Sequence, residues 1–135
     1  MPAKLRTALL SAGAVAVSAV TVLGAATPAF AKINAQLSGP RVALAGHAFR
    51  LTAVLGTDDA NGVQPAWVRL QERGAHGRYT WYGPWYKMRP TSLGPGEASY
   101  TFTLTEKHRE TVTFRAVFAG QYPVTSWNSV TIAVR

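Results

Sequence analysis

TVTFRAVF, residues 111–118, sets Val112, Phe114, Ala116 and Phe118 at every second position, with Thr111, Thr113, Arg115 and Val117 between them. Successive side chains of a strand point to opposite faces, so this spacing describes a β-strand with one side in a core. The same period recurs along the chain. Phe49, Leu51, Ala53 and Leu55 alternate with Arg50, Thr52 and Val54; Val68 and Leu70 alternate with Trp67, Arg69 and Gln71. Tyr100, Phe102 and Leu104 follow the same rule, as do Val130, Ile132 and Val134. Segments 56–62 and 73–77 read as a loop and a turn, and Gly94-Pro95-Gly96 reads as a plain turn. A first strand near 33–37, a short one at 42–44 and the aromatic stretch at 78–87 bring the expectation to seven or eight antiparallel strands. Helix signals are absent, since 106–110 is short enough to be a polar turn. An all-β sandwich is the fold class this pattern predicts.

Ahead of the strands, MPAKLRTALLSAGAVAVSAVTVLGAATPAFA places Lys4 and Arg6 before an uncharged Ala, Val and Leu run ending in Ala29-Phe30-Ala31. A basic start, an apolar middle and small residues at −3 and −1 describe a secretory signal peptide over 1–31, cleaved after Ala31. An uncleaved anchor is the competing reading, but Gly24 and Pro28 suit a signal peptidase better than a bilayer. The mature chain, 32–135, is then one domain, expected outside the cell and able to associate with the wall. It has no cysteine, so its stability comes from packing without disulfides.

The whole chain carries a formal charge of +8, which falls to +6 when Lys4 and Arg6 leave with the signal peptide. Such a charge draws an exported protein toward anionic polymers. The cations are scattered singly and form no block, which gives a solvated surface and no specific nucleic-acid site.

The order RVALAGHAFRLTAVL, AWVRLQERG, GEASYTFTLT, TFRAVFAG and SWNSVTIAVR resembles the bacterial immunoglobulin-like modules common in secreted actinobacterial proteins. The likeness spans nearly all of 32–135. It implies an immunoglobulin-like β-sandwich and brings no catalytic residues with it. In such modules a Trp precedes an inward aliphatic residue by three positions, a pair that Trp85 and Met88 resemble, which makes Trp85 structural. The arrangement also puts the third, sixth and last principal strands in one sheet. Trp67, Val117 and Trp127 would then form an outward row, with Arg69 and Arg115 further along.

RYTWYGPWYK, residues 78–87, poses the functional question. Gly83-Pro84 interrupts its alternation, because proline lacks a ladder donor and is confined to edges or bulges, so the segment is expected to be a bent edge strand. Tyr79, Trp81 and Tyr82, with Trp67, Arg69, Trp85, Arg115 and Trp127, are the candidate binding residues of an exposed aromatic and basic sheet face. The competing reading packs these rings on each other and on the stems of Arg69, Arg78 and Arg115, shielding the sheet with no ligand.

Other chemistry finds no support in the pattern. His47, His76 and His108 have no partner at a zinc-ligand spacing, and Asp58, Asp59 and Asn61 lack the spacing of a calcium loop. No serine sits in a nucleophile elbow, and no carboxylate pair is spaced for glycoside hydrolysis. The chain therefore reads as a non-enzyme with no cofactor or metal, binding cell-envelope material or a protein partner. The alternatives are a carbohydrate-binding accessory domain stacking Trp81, Trp85 and Trp127 on polysaccharide, and a secreted enzyme inhibitor presenting the 56–62 and 94–96 loops.

Overall fold

A computed structural model describes residues 32–91 and 94–135, so the expected signal peptide, 1–31, lies outside the described residues. The alternating runs form two sheets. One holds β1 (Ile33–Ser38), β3 (Ala48–Thr57), β7 (Gly94–Thr105) and β6 (Arg89–Thr91) in the order β1-β3-β7-β6. The other holds β2 (Val42–Ala43), β10 (Val130–Val134), β8 (Glu110–Gly120), β4 (Ala66–Gly74) and β5 (Thr80–Lys87), with the short β9 (Val124–Thr125) paired to β8. All pairings are antiparallel except β2 with β10.

The inward sets are those the alternation specifies. Leu51, Ala53 and Leu55 of β3 face Val68 and Leu70 of β4 and Phe114, Ala116 and Phe118 of β8, all essentially inaccessible to solvent. Each such Leu or Phe contributes roughly 1.5–3 kcal/mol by leaving water. Phe114 stands at the centre, with the ring of Phe49 tilted at 6.3 Å and that of Tyr82 perpendicular at 5.5 Å, both between centroids. Thr113, buried on β8, satisfies its hydroxyl on Thr131 Oγ1 at 2.9 Å. One expectation fails: Gly94-Pro95-Gly96 is the start of β7, not a turn. The pairing of Gly56 with Glu97 extends the β3–β7 ladder almost to that end.

The chain after β5 changes sheets. Met88, 1% exposed, is the pivot: its N–H donates to Ala66 O on the β4 side, and its carbonyl accepts from Gln64 Nε2. Arg89 then pairs with Ser99 in the opposite sheet. An apolar side chain at the crossing lets the chain pass between layers while its own backbone groups stay bonded.

Candidate functional site

The outer surface of the larger sheet is built by the odd-numbered residues of β4 and β8, whose even-numbered neighbours fill the core. Trp67, Arg69, Gln71 and Arg73 stand outward on β4, opposite Ala119, Val117, Arg115 and Thr113 of β8. Along the other side of β4, Trp67 is paired with Lys87 and Gln71 with Trp81. Between these pairs the register shifts, because Leu70 is opposite Tyr82 while Val68 is opposite Tyr86. Two extra residues of β5 bulge out there, beside Arg69, and Gly83 turns the chain at φ +73°.

The bulge brings two tryptophans together. Residues four apart in a regular strand lie about 13 Å apart, yet the rings of Trp81 and Trp85 are 5.6 Å apart between centroids. Arg69 closes the cluster, with its guanidinium carbon 4.5 Å over the Trp81 ring and its Nε donating to Gly83 O at 2.6 Å. One row further along, the Tyr79 ring lies beneath both Arg115, at 3.9 Å, and Arg73, at 4.8 Å. Arg115 is anchored by its Nε–H donating to Gln71 Oε1 at 2.7 Å. Its pKa is lowered, chiefly by burial, against which the neighbouring Tyr79 works. Arginine over an aromatic face gains roughly 0.5–1 kcal/mol where exposed.

The carboxylates are elsewhere. No Asp or Glu occupies an outward position of β4, β5, β8 or β10: Glu72 pairs with Phe114 and Glu110 with Val134, both on the inward side. Glu72 and Glu106 sit near one another, and burial pushes both above the usual carboxylate range, with Glu110 adding to each. Arg69, Arg73, Lys87 and Arg115 thus share a face without an acidic partner on it.

The candidate residues fall into three groups. Trp67, Trp81 and Trp85 are outward and 40%, 47% and 38% exposed, with Arg69, Arg115 and Tyr79 among them. Trp85, expected to be structural, is consequently a surface residue, whereas Met88 is the inward residue expected. Tyr82 does not belong to the outer face: it pairs with Leu70 and sets its ring perpendicular to that of Phe114. Tyr86 is likewise inward, stacked on Tyr100 at 4.6 Å. Trp127 stands apart. Val117 is opposed by Thr125, and the N–H of Trp127 donates to Ala35 O of β1, at the edge of the other sheet. Trp81, Trp85 and Trp127 therefore cannot share one flat surface. Arg73, Gln71 and Lys87 complete the outer face; the first two share the odd parity of Trp67 and Arg69, which was a sufficient signal for them.

Among the described residues no group of three His, Cys, Asp or Glu side chains is placed to hold a metal ion. No helix among them is long and apolar enough to cross a membrane.

No sequence-family profile matches the chain, and no curated protein sequence matches it. Among solved structures it is similar to the CARDB domain of a Pyrococcus furiosus protein, crystallised in complex with di-metal ions. The identity is 18%, 78% of this chain and 90% of that one are covered, and the TM-score is 0.55. A solution NMR structure of that domain gives 15% identity, coverage of 78% and 95%, and a TM-score of 0.51. At this identity the likeness shows the fold alone, and the chain has an immunoglobulin-like β-sandwich fold like that of CARDB domains.

Proposed function

We propose that the chain is a secreted, non-catalytic binding module of a bacterial envelope, which engages an anionic partner through the outer face of its larger sheet. The observation that carries this reading is the segregation of Arg69, Arg73, Lys87 and Arg115 among Trp67, Trp81, Trp85 and Tyr79 on a face with no carboxylate. Tryptophan, tyrosine and arginine are the residues enriched where binding energy concentrates, and aspartate and glutamate are depleted there. Arg69 and Arg115 each commit Nε to an internal acceptor. A guanidinium so held is pre-organised, and its Nη hydrogens serve a carboxylate or phosphate at little further entropic cost.

The test is retention of residues 32–135 on envelope fractions of the producing cell at low and at high salt. Retention should fall as salt rises, and a Trp67→Ala, Lys87→Gln variant with an unchanged circular dichroism spectrum should be retained several-fold less. Equal retention of parent and variant, or none by the parent, removes the outer face as a binding surface.

A further inference from the structure

Trp127 is the most exposed large apolar residue among those described, at 65%, yet its backbone is held on both sides. Ser126 N–H donates to Ala116 O at 2.7 Å, and Ser126 Oγ accepts from Ala116 N at 3.0 Å, tying the loop to β8. The Trp127 N–H donates to Ala35 O at 2.9 Å. Asn128 clasps both backbone groups of Leu37, accepting from its N–H at 3.0 Å and donating Nδ2–H to its carbonyl. The three residues thus stitch β8 of one sheet to β1 of the other. A loop with this many long-range bonds holds the backbone of its middle residue in place, and the buried core cluster does not include that side chain.

Trp127 lines an open groove of about 530 Å³, together with Lys32, Asn34, Thr57, Asp58 and Glu97. That volume is in the range of small-ligand sites. Asp58 Oδ1 accepts from the Lys32 N–H at 2.7 Å, and Glu97 Oε1 accepts from the Thr91 hydroxyl at 2.8 Å. Each carboxylate is thereby oriented with its second oxygen uncommitted by these bonds. Two carboxylates line the groove, balanced in the chain beginning at Lys32 by the α-ammonium and side chain of that residue, in contrast to the carboxylate-free outer face.

We infer that the Trp127 groove is a separate binding site for a neutral sugar residue of a polysaccharide. The apolar face of a pyranose ring stacks on an exposed indole carried by a tethered backbone, and its hydroxyls both donate and accept. Asp58 and Glu97 supply acceptors, and the Asn34 amide supplies both a donor and an acceptor. The openness of the groove admits a residue within a chain as well as one at its end. The site stands on its own geometry and does not rest on the outer face.

The experiment uses residues 32–135, since the compact unit from Ala31 to Arg135 contains every residue of the core cluster. Cellohexaose, chitohexaose and xylohexaose are titrated by NMR at 0.5 M NaCl, where attraction to the outer face is screened within a few ångströms, about 4–5 Å. The expected result is that at least one oligosaccharide moves the Trp127 indole N–H resonance while those of Trp67, Trp81 and Trp85 stay in place. Trp127→Ala should then weaken binding tenfold or more and Asn34→Ala severalfold, with Trp81→Ala binding as the parent does. Binding by none of the three, or binding undiminished in Trp127→Ala, overturns the assignment. Neither outcome bears on salt-sensitive retention by the outer face.

Discussion

Arg69 holds the β5 bulge closed by donating its Nε–H to the carbonyl of Gly83 at 2.6 Å, across the sheet from its own strand. Without that bond the two extra residues of β5 would leave a backbone carbonyl without this partner and the Trp81–Trp85 pair without its lid. The aromatic cluster is therefore a product of the bulge and the arginine together, and each part gives a separable expectation.

Arg69→Ala should lower the free energy of unfolding by about 1–2 kcal/mol, from one charge-assisted hydrogen bond and one cation–π contact at a partly exposed site. Arg69→Lys should recover less than half of this, because an ammonium cannot cover the ring and meet the carbonyl with one planar group. Urea denaturation followed by tryptophan fluorescence reads both.

Two glycines with positive φ should respond differently to alanine. A Cβ at Gly120, φ +111°, would lie 2.2 Å from the Pro65 carbonyl oxygen, a backbone atom fixed beside the Ala66 pairing. One at Gly83, φ +73°, meets nothing within 4 Å. Gly83→Ala should cost only the left-handed backbone penalty of about 1–2 kcal/mol, while Gly120→Ala should cost clearly more or prevent folding. Thermal melts of the two variants decide this.

Acid titration should reveal carboxylates shifted in opposite directions. Burial, with Glu106 and then Glu110 behind it, raises the pKa of Glu72. The folded chain then holds this proton more tightly than the unfolded one. Its contribution is most favourable below the ordinary carboxylate pKa and is lost as pH rises through the raised value. Glu72→Gln should accordingly stabilise the domain at pH 7, with the gain vanishing in acid.

Asp59 behaves in reverse. The Tyr122 hydroxyl, donating at 2.6 Å, and then the Asn61 N–H hold its pKa below the usual range. Its contribution is present at neutral pH and is lost as pH falls through the depressed value. Tyr122→Phe should move the Asp59 carboxyl titration upward, as read by its carbon-13 chemical shift.

Asn128→Ala removes both bonds to the Leu37 backbone, ninety-one residues away in sequence. The expected cost is about 1–3 kcal/mol, the penalty of leaving partly buried polar groups without partners. Hydrogen exchange at the Leu37 amide should accelerate more than that at Leu51 in the middle of β3. Asn128→Asp, which keeps the acceptor but sets a carboxylate against the Leu37 carbonyl, should not restore protection.

The core was legible in the sequence because a strand's side chains alternate with a period of two. Leu51, Val68, Phe114 and Ile132 needed no knowledge of partners to be placed inside. Parity also carried Trp67, Arg69 and Arg115 to the outer face, and it would have carried Arg73 there. At 78–87 parity was not enough, since a bulge of one residue flips every later side chain and a bulge of two flips none. Nothing in Gly83-Pro84 states which. The pairing of Leu70 with Tyr82 and Val68 with Tyr86 shows two, which sends both tyrosines inward and both tryptophans out.

Local pattern by itself determined that this is an all-β chain with a specified inward set, because burial on one face of a strand is written residue by residue. Only the tertiary structure decided where Trp127 lies and which charges share a face. The position of Trp127 follows from bonds between Ser126 and Ala116, and between Asn128 and Leu37, and no periodicity links residues so far apart. The clustering of Arg69, Arg73, Lys87 and Arg115 likewise depends on the registers of β4, β5 and β8, which arise from core packing between strands rather than from any one of them.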